Sequence, residues 1–443
     1  MSPQLQTGPI QPQPSIPKWS LAARIGFRFC LLYLGLYCLA TQIITSLLSS
    51  TQGADLPDPS TLWPLRPIVF WTAARIFHVS APLSLAGNSG SGDCMFGWIL
   101  AFCLLAIAGL ATALWSVLDR SRPDYTALHN WFWLFVRFAL AGQMINYGMA
   151  KVIPLQMPYP FLTRLLQPFG TFSPMGVLWS SIGAAPAYEI FAGCAEVVGG
   201  LFLVFPRTAT FGALVCLADM IQVFMLNMTY DVPVKLFAFH LILLACFLLA
   251  PELPRLASVL FLNRATAPPP PAQLFRSVRA NRIALSAQIA LGLWLLGMNA
   301  YGVWGFWSMF GGARTPSPLY GIWDVSSMSI DEQPHPPLLT DSARWRRAIF
   351  DFPGQMAFQR MDDSFAYYPA SINLTGKTLA LTKPGDKHWT ANFTFQRPAR
   401  EQLILDGRMD NHQLHLELQL IDRNHFLLVR RGFHWIQEFP FNR

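Results

Sequence analysis

"LADMIQVFMLNMTYDVPVKLFAFH" (residues 217–240) decides the fold of this chain more than any other stretch. Two apolar runs of helical length flank the junction MTYDVP, where Pro233 is suited to the first turn of a new helix. Asp219 stands inside the first run and His240 inside the second, whereas Asp231 and Lys235 lie beside the junction. The stretch therefore predicts two membrane helices joined at the surface, with ionisable groups inside the bilayer.

Composition supports a membrane protein along most of the chain. Of 443 residues, 53% are hydrophobic and 13% are charged, which excludes an ordinary soluble protein. An aromatic content of 14% suits a chain that anchors at two membrane interfaces. We interpret the net charge of +8 as a topology signal and expect no nucleic-acid partner. The seven cysteines have no CxxC or zinc-ligand spacing, so we expect buried small hydrophobes and no metal.

Hydropathy divides the chain into six predicted parts. They are a disordered Pro/Gln-rich tail (1–18), two spans with an interfacial segment (19–128), a four-helix bundle (129–252), a basic Pro-rich loop (253–282), a last span (283–310) and a β domain (320–443). The seven predicted membrane segments are 21–48, 94–118, 129–150, 186–205, 208–228, 233–250 and 283–307. "RPIVFWTAARIFHV" (66–79) is too short to span and predicts an interfacial helix, as does 159–170.

The distribution of Lys and Arg predicts the orientation. With a cytoplasmic N-terminus, the inner segments hold Lys18, Arg24 and Arg28, a pair at 120 and 122, Arg207, and five arginines between 255 and 282. The outer short segments hold only Arg66, Arg75, Lys151 and Arg164. By the positive-inside rule, we expect a multi-pass protein of a bacterial inner membrane with its last domain outside.

The last 120 residues or so change character and predict strands. "KTLALTKPGDKHWTANFTFQ" (377–396) predicts a hairpin, and residues 403–439 predict further strands separated by MDNH, DRN and RRG. Leu414, Leu416, Leu418 and Leu420 alternate with polar residues. The expected fold is thus a polytopic α-helical membrane protein with about seven spans plus an antiparallel all-β domain, either a small barrel or a sandwich.

Three ionisable residues fall near the bilayer midplane. Glu196 and Asp219 lie about 15–16 Å into their spans at 1.5 Å per residue, and Arg137 lies at a comparable depth. Each isolated charge at that depth costs at least about 2.5–3.5 kcal/mol, so we expect these groups to face one another or a wet cavity. Nearer the outside we place His240, and above it Gln143, Asn146, Tyr147, Lys151, Glu189, Asn227, Asp231 and Lys235.

Two interpretations of this polar funnel remain open. In the first, Glu196 or Asp219 exchanges protons, Arg137 keeps one carboxylate ionised, and His240 relays protons outward. Gln143, Asn146, Tyr147, Lys151, Glu189 and Asn227 then help Arg137 to bind a small polar or lipophilic ligand. In the second, the charges form a structural network that fixes helix register, and Lys151, Asp231 and Lys235 are interfacial anchors.

Two segments resemble a known family. "VRFALAGQMINYGMAKVIP" (136–154) resembles the first helix of DoxX-type membrane proteins at Arg137, Gly142, Gly148 and Lys151. "EIFAGCAEVVGGLFLVFPRTATFGAL" (189–214) resembles the second helix of that family at Glu196, Gly199, Gly200 and Arg207. The resemblance covers about residues 129–252 and implies a four-helix bundle associated with redox chemistry, with quinone as the cofactor that some members use.

Several functions remain open after this resemblance. The first is a membrane oxidoreductase subunit that binds a quinone or another lipophilic molecule. The lone Cys194 and Cys216 depart from a dithiol mechanism but leave that quinone function open. The second is a non-enzymatic anchored protein whose β domain docks a redox or assembly partner, or a lipid, outside the cell. A third is an enzyme whose architecture is similar to that of vitamin K-dependent carboxylases.

Overall fold

The computed structural model of the chain describes residues 19–49, 56–85, 91–267 and 274–442. The predicted tail (1–18) and most of the proline run (268–273) lie outside these residues. The helices are α1 (Leu21–Ala40), α2 (Gln42–Leu48), α3 (Leu65–Arg75), α4 (Met95–Leu118), α5 (Thr126–Val152), α6 (Leu162–Leu166), α7 (Pro174–Gly183), α8 (Pro186–Val204), α9 (Ala209–Thr229), α10 (Lys235–Leu249), α11 (Leu253–Leu260), α12 (Val278–Phe310) and α13 (Leu427–Arg430).

In the described residues, six helical segments are long and apolar enough to cross a membrane. They are Leu21–Ala40, Met95–Leu118, Pro186–Val204, Ala209–Thr229, Lys235–Leu260 and Val278–Phe310. The predicted span at 129–150 forms the 27-residue α5, which is not among the six. Its residues 136–146 are all buried, because other parts of the protein surround them. A helix shielded in this way tolerates polar side chains that a helix facing lipid does not.

The outer faces of the long helices are apolar. On α4, Leu110 is 76% exposed and Leu118 is also 76% exposed, and neighbouring positions on that helix are similar. Exposed apolar surface of this extent is unfavourable in water and favourable in a hydrocarbon environment. The helices therefore form the membrane part of a multi-pass protein, as the sequence predicted.

Close glycine contacts show how the long helices run. A Cβ on Gly193 of α8 would lie 2.7 Å from the Gly148 carbonyl oxygen of α5, and a Cβ on Gly200 would lie 3.1 Å from that of Ala141. The α5 partner thus moves backwards as α8 moves forwards, so the two helices are antiparallel. α5 and α12 are parallel, since Arg137 bonds Gln288 and Asn146 bonds Asn299. These directions agree with the alternating spans that the sequence predicts.

The chain forms two compact units. Unit 1 comprises Met1–Asn146, Ala195–Met228 and Pro233–Asn299, and unit 2 comprises Tyr147–Cys194, Thr229–Val232 and Ala300–Arg443. In unit 1, the buried Arg28 near the start of α1 joins the end of α4. Its guanidinium donates to the Tyr125 hydroxyl at 2.8 Å and to the Asp119 carbonyl at 2.7 Å. This contact fixes α1 and α4 as antiparallel neighbours.

The β domain lies in unit 2 and closes into a barrel. Its described strands are β1 (Gly321–Ile330), β2 (Gln333–Pro334), β3 (Trp345–Phe350), β4 (Gln355–Arg360), β5 (Phe365–Asn373), β6 (Thr378–Lys383), β7 (Asp386–Gln396), β8 (Gln402–Met409) and β9 (His412–Ile421). All pairings are antiparallel, in the order β1-β3-β4-β5-β6-β7-β8-β9, and β9 returns to β1 while the two-residue β2 pairs β1 at its end. The described strands thus form an eight-stranded up-and-down barrel, one of the two predicted forms.

Side chains fill the barrel, and part of its outer surface is also buried. Trp345 stacks on Phe358 inside, with ring centroids 3.6 Å apart. Ile322 and Ile349 point outward because residues alternate between the two faces of a strand. Leu162 of α6 packs on that outer patch, and its backbone NH donates to Asp351 at 2.8 Å. The loop between α5 and α8 is therefore attached to the barrel within unit 2.

Two predictions were wrong in detail. Beyond β9, the described residues contain a 3-10 turn (Arg423–His425) and α13 but no strand, although the sequence predicted strands up to 439. The barrel closes when β9 pairs β1, so no free edge remains for another strand. Of the cysteines, Cys194 and Cys246 are exposed rather than buried. Both stand on membrane helices, where exposed small apolar groups face lipid.

Candidate functional site

Arg137 lies at the centre of the polar residues in unit 1. Its side chain is 2% exposed, and its Nε donates to the Leu203 carbonyl at 2.8 Å. The terminal nitrogen Nη2 donates to the Val204 carbonyl at 2.7 Å and to the Gln288 amide oxygen at 3.1 Å. These acceptors are not the Glu196 or Asp219 carboxylate that the sequence predicted. The cation instead caps the C-terminal carbonyls of α8, which carry partial negative charge.

Glu196 and Asp219 lie at the same level of neighbouring helices, near the contact of α8 with α9. A Cβ on Gly199 would lie 2.9 Å from the Cys216 sulfur, so the two helices touch at this level. α8 and α9 run antiparallel, since a Cβ on Gly212 would meet Leu203 of α8. Glu196, three residues before Gly199, and Asp219, three residues after Cys216, therefore lie about one turn from this contact and on the same side of it. Cys216 is within electrostatic reach of both carboxylates. Glu196 is 1% exposed and Asp219 is half-buried.

The His240 ring joins α10 to α1. Its Nδ1 lies 2.7 Å from the Leu236 carbonyl, which only accepts, so Nδ1 carries the proton. Nε2 is then an acceptor, and the Tyr33 hydroxyl donates to it at 2.8 Å. The ring stacks on Tyr37 with centroids 3.6 Å apart. These contacts of His240 lead to α1, and the relay from Glu196 or Asp219 through His240 stays a prediction.

The amide side chains of α5 bind neighbouring helices. Gln143 is fully buried and its Nε2 donates to the Ser46 hydroxyl of α2. Asn146 donates to the Asn299 side-chain oxygen at 2.6 Å, and Asn299 in turn donates to the Leu295 carbonyl of its own helix. Amide pairs of this kind hold helices together inside a bilayer. Gln143 and Asn146 therefore have structural partners at the positions where the sequence predicted ligand contacts.

A second buried carboxylate belongs to unit 2. Glu189 is 1% exposed and its Oε1 accepts the Met157 backbone NH at 2.9 Å, whereas Oε2 has no hydrogen-bond partner in the described residues. Lys151 is 7% exposed and interacts electrostatically with Glu189. Tyr147 stands one turn before Lys151 on α5 and is half-buried. Glu189 and Lys151, which the sequence places near the outer surface, thus lie within electrostatic reach of each other.

The junction between α9 and α10 is held by a residue that the sequence did not single out. Asp93 accepts the backbone NH groups of Lys235 and Leu236, both at 2.9 Å, and lies 3.6 Å from the Lys235 ammonium nitrogen. It therefore caps the N-terminus of α10 from a distant part of the chain. Asn227 is buried nearby, with its amide 3.5 Å from the Val234 carbonyl. Asn227, predicted to bind ligand, and Lys235, predicted to be an interfacial anchor, thus both have partners within the protein.

Sequence reasoning also missed Tyr33, Gln288 and Asn299. The last two are amides inside the otherwise apolar α12, and this isolated polarity was a usable signal. Tyr33 offered none, because its partner His240 is 207 residues away. Across the residues that the structure describes, no group of three or more His, Cys, Asp or Glu side chains is arranged to hold a metal ion.

Comparison with known proteins gives one distant relative. The uncharacterized protein YwoB of Bacillus subtilis (strain 168) is 27% identical over 108 residues, which cover 22% of this chain and 62% of YwoB. The match thus spans less than two thirds of that relative, and its name states no activity. No protein-family model matches the chain. No solved structure matches it either. The DoxX resemblance therefore stays a prediction.

Proposed function

We propose that this chain is a DoxX-like membrane subunit that binds a quinone or similar lipophilic molecule beside Glu196 and Asp219. The observation that carries the proposal is that both carboxylates lie within electrostatic reach of Cys216, where α8 and α9 touch at Gly199. Reduction of a quinone takes up two protons as well as two electrons, so a quinone site needs groups that exchange protons inside the membrane.

The physical argument rests on charge repulsion. Two ionised carboxylates facing each other in a region of low dielectric constant repel strongly, and a proton held between them removes the repulsion. Such a pair stores a proton that a bound carbonyl oxygen can receive. Arg137 supports the site indirectly in this proposal, since it fixes the end of α8 eight residues beyond Glu196.

The test compares co-purified lipophiles. Wild type, Glu196→Gln and Asp219→Asn are purified in mild detergent, extracted with solvent and analysed for quinone by absorbance and mass spectrometry. We expect wild type to retain quinone and each variant to retain about tenfold less, as for the loss of a strong hydrogen bond. Glu252→Gln is the matched control, because Glu252 pairs with Arg255 at 2.8 Å outside the carboxylate pair.

Two results would count against the site. If wild type retains no quinone or other lipophile, or if both variants retain as much as wild type, the carboxylate pair does not bind one. If both variants fold poorly while Glu252→Gln does not, the pair is part of a structural network instead.

A second candidate is a non-enzymatic binding or assembly protein, favoured by the contacts of the other polar residues. Arg137 and His240 are bonded to backbone carbonyls, and Glu189 accepts a backbone NH. The barrel interior is filled by its own side chains, so a partner must dock on its outer surface. Cross-linking in native membranes followed by mass spectrometry tests this candidate, which predicts a specific partner joined to the barrel.

A further inference from the structure

The chain after the barrel exposes large apolar side chains. We call residues 427–442, LLVRRGFHWIQEFPFN, the aromatic segment. Phe433 is 75% exposed, Trp435 91%, Ile436 80% and Phe439 83%. Single exposed apolar residues are ordinary, but four such residues within seven positions are not. Neither the predicted strands nor the proposed function accounts for this segment.

Its first turn is held next to a loop that leaves a membrane helix. The Tyr159 hydroxyl lies 3.5 Å from the Val429 carbonyl, and the guanidinium of Arg423 lies 4.6 Å from the centre of the Tyr159 ring. Tyr159 follows the end of α5 by only seven residues. All these residues belong to unit 2, as does the C-terminal end of α5, so the segment starts close in space to the end of this predicted span.

The linker between α12 and β1 also limits how far the barrel can lie from the membrane. α12 ends at Phe310 and β1 begins at Gly321, so ten residues connect them. Ten extended residues reach about 35 Å at most, which keeps the barrel near the bilayer surface. The aromatic segment therefore has a membrane within its reach.

The composition of the segment fits the bilayer interface. Trp and Phe are favoured at the level of the lipid headgroups, where their rings meet both the acyl chains and the polar layer. Arg430 and Arg431 add positive charge suited to lipid phosphates, against the single acid Glu438. We propose that the aromatic segment is an interfacial anchor that inserts Phe433, Trp435 and Phe439 into the headgroup region of the membrane that α12 spans.

The test locates Trp435 relative to lipid. The full chain is labelled with 5-fluorotryptophan and placed in nanodiscs of phosphatidylethanolamine and phosphatidylglycerol, and the Trp435 fluorine resonance is assigned with Trp435→Phe. A lipid carrying a nitroxide near its headgroup is then added. We expect the Trp435 signal to lose about half its intensity or more, while Trp323, which is fully buried in the barrel, keeps its own.

Variants separate anchoring from chance proximity. Phe433→Ser combined with Phe439→Ser keeps the Trp435 probe and is expected to abolish most of the lipid-dependent loss. The matched control is Leu339→Ser, which removes another exposed apolar side chain, 78% exposed, and is expected to change nothing. Two outcomes overturn the proposal. Broadening by a soluble paramagnetic chelate alone places the segment in water, and protection from both agents shows that a second copy or another protein covers it.

Discussion

At the scale of single residues, Arg137 shows why a buried guanidinium is not a generic charge. Its planar fork donates to two successive carbonyls, Leu203 and Val204, and to Gln288. Lysine carries the same charge but presents one nitrogen, so it cannot reproduce this fork. Arg137 therefore acts as a clamp: its side chain holds the C-terminal end of α8 against α5 through these hydrogen bonds.

We expect Arg137→Lys to destabilise the protein by about 2–3 kcal/mol, the cost of losing one or two charge-assisted hydrogen bonds in a buried place. The measurement is the free energy of unfolding in mixed micelles. Arg164→Lys is the matched control, since Arg164 is half-buried and bonds the nearby Gln167 side chain at 2.6 Å. Equal stability of the two variants would contradict the clamp.

A second residue-scale prediction concerns pH. The His412 ring and the Gln413 backbone NH bind the Asp331 carboxylate at 2.6 and 2.8 Å and hold its pKa below the ordinary 3.8. A depressed pKa in the folded state contributes stability above the unfolded pKa, and this contribution is lost as pH falls through the folded value. We expect Asp331→Asn to be less stable than wild type at pH 6, and the difference to shrink below about pH 4.

Thermal unfolding of the full chain, followed by tryptophan fluorescence between pH 6 and pH 3, measures this difference. Asparagine tolerates the positive φ of 50° at this position, so the substitution tests the charge rather than the turn. A difference that stays constant across the pH range would contradict the linkage.

The sequence located ionisable residues better than it located their partners. Glu196, Asp219 and Arg137 stood out because charge inside an apolar run is rare. The acceptors of Arg137 are backbone carbonyls, which every residue carries, so no sequence pattern marks them. Asp93 was missed for a related reason. It caps α10 from 142 positions away, and such a contact depends on the packing of the whole bundle.

At the scale of elements, α8 owes its close approach to α5 to glycine. A Cβ on Gly193 would lie 2.6 Å from the Lys151 Cβ and 2.7 Å from the Gly148 carbonyl oxygen. Backbone atoms cannot move aside as a flexible side chain can, so a methyl group here must push the helices apart. Small residues at helix contacts are how membrane helices achieve tight packing.

We therefore expect Gly193→Ala to cost about 1–3 kcal/mol in the free energy of unfolding, as overpacking does elsewhere. Gly109→Ala in α4 is the control, because nothing lies within 4 Å of a Cβ at that position. Alanine is the better helix former, so the control should be neutral or slightly stabilising. Destabilisation of both variants to the same degree would argue against a close contact at Gly193.

The sequence predicted individual strands that bury one face, but it did not predict how the sheet closes. The alternation of Leu414, Leu416 and Leu418 identified β9, because these side chains fill the barrel. The strands form a barrel and not a sandwich because β9 pairs with β1, about 90 residues earlier. The alternation of residues within a strand does not indicate which distant strand it pairs with. The apolar residues after 421 were predicted to form strands because large aromatic residues favour strands, and the same residue types favour a membrane interface.

At the scale of the whole molecule, the membrane helices and the barrel place their apolar side chains differently. Lipid accepts the exposed apolar faces of the helices, whereas the barrel hides its apolar side chains inside and under α6. The helix directions agree with alternating spans, because α8 runs antiparallel to both α5 and α9, and α5 runs parallel to α12. Because α12 is long and apolar enough to cross a membrane, we expect the loop before it and the barrel after it to lie on opposite sides.

The sidedness itself follows from charge, and it gives the last prediction. Arginines cluster between 255 and 282, which the positive-inside rule assigns to the cytoplasm, so the barrel should lie outside. In a Cys94→Ser background, the six remaining native cysteines all lie within membrane helices. We add one cysteine at Thr375 in the exposed β5–β6 turn or at Ala265 in the basic loop. A membrane-impermeant maleimide added to intact cells should label Thr375→Cys and leave Ala265→Cys unlabelled until the membrane is permeabilised. The reverse pattern would show that the arginine-rich loop lies outside, and would place the barrel and its aromatic segment on the cytoplasmic face.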